Sequence, residues 1–199
     1  MAQPRPQPRH LVLASTSRYR RELLERFGLA FETSAPRCDE APLPGEAPAA
    51  TALRLSVTKA QSLRADFPDA LIIGADQVAS SGALRLGKPG THGNATRQLR
   101  SLSGKAAQFD TAVTLLDARS GKAESQVVGC RVQFRTLDDA RIEAYLRREQ
   151  PYDCAASAKA EGLGIALIER IDTEDPTSLI GLPLIALSAM LERAGLPPV

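Results

Sequence analysis

Short apolar runs alternate with segments of helical periodicity along most of the chain, and this alternation restricts the possible folds more than any other feature. Residues 11–14 (LVLA) form an apolar run typical of a strand, and apolar positions then recur at helical spacing between Arg18 and Phe27. The clearest buried strand is 71–75 (LIIGA), which ends on Asp76. Strands that alternate with helices predict a sheet with helices packed against it.

One pair of β-rich runs, 108–116 and 126–134, interrupts the alternation and is separated by turn residues, which predicts an antiparallel hairpin. The remaining predicted elements are helices at 49–67, 94–102 and 138–148, a strand at 165–171, a loop at 151–164 and a last helix opened by Pro183. We therefore predict an α/β fold with a mixed, twisted sheet and flanking helices. We also predict that residues 11–197 form a single domain.

Composition excludes several classes of protein. The first ten residues are basic and rich in proline, which predicts a disordered tail over residues 1–10. A net charge of +2 and an aromatic content of 4% argue against nucleic-acid binding. No apolar run reaches the roughly 18 residues of a membrane span, and there is no apolar secretory signal, so we expect a cytoplasmic protein without a membrane partner. The three cysteines are scattered and form no Cys-x-x-Cys pair, which argues against disulfides and a zinc site.

The turn after the first strand has the sequence STSRYRR over residues 15–21. Free backbone N–H groups and the positive end of the helix dipole favour an anion at such a turn. Exposed cations in the first helical turn are disfavoured by roughly 0.3 to 1 kcal/mol each, so a bound polyanion such as a triphosphate would explain three arginines there. The alternative is a solvated basic face with Ser17 as a helix cap. Arg18 and Arg21 are expected to be surface residues.

A second candidate site centres on Asp76, because open α/β sheets bind ligands at the carboxyl ends of their strands. The alternative is an aspartate that only forms a turn. Glu40, Lys59 and Lys88 are candidate metal, base and phosphate groups, although isolated charged residues are usually solvated.

Absent motifs narrow the chemistry. The sequence has two histidines, His10 and His92, which gives a histidine-dependent nucleophile little to work with. It also lacks a Walker phosphate loop and a Gly-x-Gly-x-x-Gly motif after a strand. If the chain hydrolyses a substrate such as a triphosphate, the reaction would then depend on carboxylates, a divalent metal with oxygen ligands and cationic side chains.

A series of short motifs extends from Leu11 nearly to the C-terminus. In order, they are 13–17 (LASTS) with Arg20, 39–40 (DE), 59–60 (KA), 74–77 (GADQ), 87–89 (GKP), 102–104 (LSG), 159–162 (KAEG) and 181–183 (GLP). Together they resemble the Maf family of nucleotide pyrophosphatases. The resemblance implies an elongated, two-lobed fold with a cleft between the lobes, a homodimer, and a Mg²⁺ or Mn²⁺ cofactor.

The resemblance also implies roles for particular residues. Asp76 would be the general base, a metal ligand or both, with Glu40 as a second acidic group at the metal. The phosphate-binding groups would be Ser15, Arg20, Lys59 and Lys88, the two lysines also belonging to the catalytic set.

Base preference would come from Tyr19, Gln77 and Glu161. Gln77 and Glu161 resemble the subgroup that acts on N7-methylated GTP, whereas the dTTP and UTP subgroup has threonine and glutamine at these positions. The chain departs from the family at Arg18, where proline is usual, and from the subgroup at Tyr19, where tryptophan is usual.

The function implied is hydrolysis of 7-methyl-GTP to 7-methyl-GMP and diphosphate by metal-assisted attack of water on the α-phosphorus, in a nucleotide clean-up role. One alternative is the same reaction on dTTP, UTP or modified pyrimidine nucleotides. A second is a non-enzymatic protein of septum formation, which would not need Asp76, Lys88 and Arg20 together with a metal.

Overall fold

The computed structural model describes residues 9–199, so most of the predicted tail over residues 1–10 lies outside the described residues. The two described residues of that segment contact the domain. Arg9 Nη2 donates to Asp117 Oδ1 at 2.7 Å, and the His10 carbonyl accepts from the Leu71 N–H at 2.9 Å. Within the described range, no helix is long and apolar enough to cross a membrane.

Strands and helices alternate between residues 9 and 199, as the sequence predicts. The strands are β1 (Leu11–Ala14), β2 (Glu32–Ser34), β3 (Leu71–Ser81), β4 (Leu84–Arg85), β5 (Ala106–Asp117), β6 (Ala123–Phe134) and β7 (Ile168–Thr173). The α-helices are α1 (Arg18–Glu25), α2 (Pro48–Ser62), α3 (His92–Leu102), α4 (Asp139–Glu149) and α5 (Leu184–Arg193). Short 3-10 turns span Ala155–Ser157, Leu163–Leu167 and Pro176–Ile180.

The seven strands form one open, mixed sheet in the order β2-β1-β3-β5-β6-β7, with β4 paired to β3. Strand β1 runs parallel to β2 and β3, and the other pairs are antiparallel. The mixed α/β fold and the β5–β6 hairpin are therefore confirmed. The division into two lobes stays a prediction.

Strand β3 differs from its prediction in a way that affects the candidate site. It does not end on Asp76, because its antiparallel ladder with β5 continues from Leu71 to Ser80. On its other edge, the parallel pairing with β1 stops at Gly74, and β4 pairs only from Ser80 onward. Asp76 thus lies in mid-strand, and residues 75–79 of β3 have no partner strand on the β1 side within the described chain.

One further prediction needed correction at the level of local structure, and two short strands were missed. The strand expected at 165–171 begins at Ile168, because residues 163–167 form a 3-10 turn. Strands β2 and β4 were not predicted, since three and two residues are too few to show an apolar period.

Alternate residues of β1 pack into different parts of the core. Because both faces of the strand are covered, its sequence is apolar at every position. Leu11 and Leu13 pack with residues of α1 and α5, whereas Val12 packs with Ala60 and Leu63 at the end of α2. A further hydrophobic cluster joins the start of β5 and the end of β6 to α3 and α4. Helices on both faces leave β1 and the first half of β3 buried.

Gly74 allows α2 to approach β3 closely. A Cβ at this position would lie 2.0 Å from the Ser56 carbonyl oxygen and 2.9 Å from the Ala60 nitrogen, both backbone atoms of α2. We expect Gly74→Ala to lower the free energy of unfolding by about 1 to 3 kcal/mol, as measured by urea denaturation. Gly93→Ala is the matched control, because its Cβ would meet only the flexible end of Arg97 at 3.9 Å. Equal stability of the two variants would contradict the close approach.

Candidate active site

A pocket of about 500 Å³ opens beside β3, the turn after β1 and the 151–164 segment. All nine residues that the sequence predicted for the site line this pocket. They are Ser15, Tyr19, Arg20, Glu40, Lys59, Asp76, Gln77, Lys88 and Glu161. They come from different helices, strands and loops, so the fold has brought together residues that are far apart in the chain.

Two carboxylates of the pocket lie on either side of one lysine. Lys59 Nζ donates to Asp76 Oδ1 at 2.7 Å and lies 3.0 Å from Glu40 Oε1. Lys59 and Asp76 are buried, at 4% and 7% exposure, whereas Glu40 is exposed. Lys59 is in the last turn of α2, so the close packing of this helix on Gly74 places its ammonium against β3. Burial of the lysine and the aspartate is tolerated because each neutralises the other.

The donor set decides whether a divalent metal fits. No group of three or more metal-ligating side chains exists among residues 9–199, so the protein alone forms no complete cage. Asp76 Oδ1 accepts from Lys59, and Oδ2 has no hydrogen bond to the described chain. Mg²⁺ is typically held by one or two carboxylates together with substrate phosphates and water. Asp76 and Glu40 fit that mode of binding, in which the triphosphate itself supplies ligands.

Helix α1 begins at the pocket and places Arg20 in its lining. Ser17 caps the helix by accepting from the Arg20 N–H, and Ser15 Oγ accepts from the Ser17 N–H at 3.1 Å. Arg20 Nε donates to the Gly181 carbonyl at 2.9 Å, which fixes the guanidinium, while its Nη atoms make no hydrogen bond to the described residues. Burial lowers the pKa of Arg20 from its ordinary value. A fixed guanidinium with free donors suits a phosphate.

Tyr19 lines the pocket together with Phe109, and its hydroxyl is held by neighbouring side chains. It accepts from Arg18 Nη2 at 2.7 Å and donates to the Asp153 carboxylate at 3.2 Å. The guanidinium carbon of Arg18 lies 4.7 Å from the ring centroid, a cation–π distance. Desolvation raises the pKa of Tyr19, so the phenol stays neutral.

Arg18 and Arg21 were both expected to be surface residues, and only Arg21 lies away from the pocket. Arg21 is exposed and pairs with Glu25 at 3.0 Å. Arg18 is also exposed, but it lines the pocket, because the Tyr19 hydroxyl and Asp153 attract its guanidinium inward.

Gln77 reaches the pocket with its amino group already engaged. Its Nε2 shares two hydrogens among three acceptors, the carbonyls of Ser178 and Leu179 at 2.9 and 3.1 Å and Thr111 Oγ1 at 2.9 Å. The side chain therefore holds the 178–179 segment, and its oxygen is the part that is free to meet a ligand. This geometry favours a positioning role over base recognition through the amino group.

Glu161 is exposed at the pocket, and desolvation by the surrounding residues raises its pKa above the ordinary value. Its loop is anchored by Glu149 of α4. Glu149 accepts from the Leu163 N–H at 2.6 Å and pairs with Lys159 Nζ at 3.1 Å. A helix thus fixes the segment that carries Glu161.

Asp153 and Cys154 also line the pocket, and they were missed in the sequence. Both fall in the predicted loop at 151–164, where a single acidic residue and a lone thiol carry no periodic or spacing signal. Burial raises the pKa of Cys154 to about 11, so this thiol is protonated near neutral pH.

Acidic and cationic side chains therefore surround one pocket of an open α/β sheet, an arrangement that suits a polyanion bound together with a divalent metal. The chain belongs to the Maf family, whose model, described as Maf-like protein, matches residues 10–194. The resemblance seen in the motifs is therefore confirmed.

Curated relatives match this chain over nearly its whole length. A protein of Thiobacillus denitrificans is 59% identical over 185 residues, which cover 93% of this chain and 92% of the relative. A protein of Cupriavidus pinatubonensis is 55% identical, with 96% of each chain covered. One of Burkholderia pseudomallei is 55% identical, with 96% of this chain and 90% of the relative covered. Each of these relatives is named 7-methyl-GTP pyrophosphatase.

Proposed function

We propose that the protein is a 7-methyl-GTP pyrophosphatase that hydrolyses its substrate to 7-methyl-GMP and diphosphate. The observation that carries this proposal is the convergence of all nine candidate residues on one pocket. The names of the relatives, at 55 to 59% identity, support the same substrate. A cytoplasmic location and a homodimer stay predictions from the sequence.

Cationic side chains bind and orient the triphosphate in the proposed mechanism. Arg20, held by the Gly181 carbonyl, offers its free Nη donors to phosphate oxygens, and Lys88 adds a second charge from the loop before α3. Neutralisation of the phosphates and alignment of the α-phosphorus supply most of the rate enhancement, as is usual in phosphoryl transfer.

Asp76 accepts the proton of the attacking water through its free oxygen. The water oxygen bonds to the α-phosphorus while the bond from this phosphorus to the bridging oxygen breaks, and diphosphate leaves. Lys59 keeps the Asp76 carboxylate oriented through the 2.7 Å hydrogen bond to Oδ1. A divalent cation held by Asp76 and Glu40 would supply further charge neutralisation at the phosphates.

The charges around Tyr19 favour a cationic base. Arg18 lies 3.7 Å from the Asp153 carboxylate, and Lys159 pairs with Glu149, so both nearby cations are neutralised. Glu161 has no ion pair with any described residue, so among these five charged side chains the carboxylates outnumber the cations by one. N7-methylation gives guanine a positive charge, which an aromatic face attracts by about 0.5 to 2 kcal/mol. A carboxylate also accepts strongly from the N–H groups on the Watson–Crick edge of guanine.

A substrate panel tests the proposal. With Mg²⁺ or Mn²⁺, 7-methyl-GTP should give a higher kcat/KM than GTP, UTP or dTTP, and chromatography should identify 7-methyl-GMP and diphosphate as products. Glu161→Gln should reduce the preference for 7-methyl-GTP over UTP by about 5- to 10-fold, because a charged acceptor is replaced by a neutral one. Tyr19→Ala should reduce the same preference.

Glu169→Gln is the matched control, since Glu169 is an exposed carboxylate on β7 outside the pocket. UTP or dTTP as the best substrate would favour the pyrimidine alternative. Release of orthophosphate without a monophosphate would contradict the reaction itself.

A further inference from the structure

Two side-chain amides on α3 hold the backbone on both sides of Lys88. Asn94 Nδ2 donates to the Pro89 carbonyl at 2.8 Å, and Gln98 Nε2 donates to the Gly87 carbonyl at 3.1 Å. Residues four apart share one face of a helix, so both amides reach the same loop. The loop that carries Lys88 is thereby fixed to a rigid element at the residues before and after it.

Gln98 has a second contact that fixes the direction of its amide. Ser157 Oγ donates to Gln98 Oε1 at 2.5 Å. A carbonyl oxygen can only accept, so the amide nitrogen must face Gly87 and the amide oxygen must face the Ser157 hydroxyl. With both ends of the amide engaged, the side chain has one satisfied orientation.

The backbone at Ser157, next to this contact, has an unusual conformation. Ala156 and Ser157 are fully buried and have φ values of +58° and +54°, in the left-handed region that residues with a Cβ rarely adopt. Such strain persists only where the surroundings determine it, and it is concentrated at functional sites. Here the left-handed turn coincides with the Ser157 contact that orients Gln98 towards the Lys88 loop.

We propose that Gln98 is a positioning residue for the reaction and acts through Lys88, with Ser157 orienting its amide. Gln98 does not line the pocket, so it influences the substrate only through its neighbours. The inference rests on the proposed function, in which Lys88 binds the triphosphate. It assigns to α3 the task of keeping the Lys88 ammonium where the phosphates need it.

A double-mutant cycle between Gln98 and Lys88 tests the inference. Gln98→Leu should lower kcat/KM for 7-methyl-GTP by about 10-fold or more, since small displacements of a positioning group are costly. In a Lys88→Ala background the same substitution should change kcat/KM by less than about twofold, because the residue through which it acts is gone. Equal losses in both backgrounds would indicate a purely structural role and overturn the inference.

Two further variants distinguish loss of the Gln98 hydrogen bonds from a general disturbance of α3. Gln98→Glu keeps an acceptor for Ser157 but cannot donate to Gly87, so it should lose at least as much activity as Gln98→Leu. Full activity of the glutamate variant would overturn the inference. Arg100→Ala is the control, because it removes a 2.6 Å ion pair with Asp139 from the same helix without touching the Lys88 loop, and it should keep kcat/KM within about twofold.

Binding of inorganic triphosphate, measured by calorimetry, separates this inference from the proposed function. Triphosphate needs Lys88 but no base, so Gln98→Leu should weaken its binding several-fold when Lys88 is present and not in the Lys88→Ala variant. If the wild-type protein left 7-methyl-GTP intact but showed this coupling, the proposed function would fail and the positioning role would stand. Additive effects in both the kinetic and the binding cycle would overturn the role.

Discussion

Asp76→Asn is expected to lower kcat on 7-methyl-GTP by about 10²- to 10⁴-fold, the usual contribution of a general base. Loss of a metal ligand would add to this effect. Asparagine keeps the shape of the side chain and an oxygen that accepts from Lys59, and Glu40 still pairs with the lysine at 3.0 Å, so the fold should be retained. Steady-state kinetics give the loss of turnover, and thermal unfolding checks the fold.

Asp110→Asn is the matched control for charge removal. Asp110 is a half-buried carboxylate on β5 that does not line the pocket, and its Oδ1 accepts from Gln108. Its substitution should leave kcat within about twofold. Near-normal turnover of a folded Asp76→Asn variant would show that another group accepts the proton.

Lys59→Met should lower the free energy of unfolding by about 3 to 5 kcal/mol and remove most activity. The substitution leaves the Asp76 carboxylate buried without its cation, and breaking one side of a buried pair carries a cost of this size. The side chains of Lys59 and Asp76 are 5% and 10% exposed, so water can compensate little. Urea denaturation measures the stability, and kcat measures the lost orientation of Asp76.

The double variant Lys59→Met with Asp76→Asn distinguishes an unpaired charge from poor packing of methionine. Removing both charges should recover much of the stability lost in Lys59→Met, while activity stays low. If the double variant were as unstable as Lys59→Met, poor packing of the methionine would be the cause of the lost stability. Unchanged stability of Lys59→Met would contradict a buried ion pair at this position.

Short motifs in the sequence predicted that Asp76, Lys59 and Glu161 belong to one site, and all three line the same pocket, while their roles stay predictions. The mid-strand position of Asp76 was not predictable in the same way. It depends on how far β5 extends along β3, and a ladder between distant segments leaves no periodic signal in either one.

Residues that act from loops or through other residues escaped prediction for a related reason. Asp153 and Gln98 are polar residues, one in an irregular segment and one on an amphipathic helix, and such residues are usually solvated. Arg18 was expected to be a surface residue, and only the position of the Tyr19 hydroxyl explains its place at the pocket. Roles of this kind come from tertiary contacts.

Residues 75–79 of β3 are paired with β5 on one edge and, within residues 9–199, lack a partner strand on the other. One side of the pocket is therefore a paired strand, and the other sides are loops and helix ends. Asp76 is anchored by an unbroken antiparallel ladder on the β5 side, while the opposite edge opens into the gap between β1 and β4. Insertions in the β3–β4 hairpin or in the 151–164 segment would reshape the gap without displacing the carboxylate. Asp76 and Glu161 thus lie on structurally separate elements, so we expect changes in the 151–164 segment to alter base preference more than they alter bond cleavage.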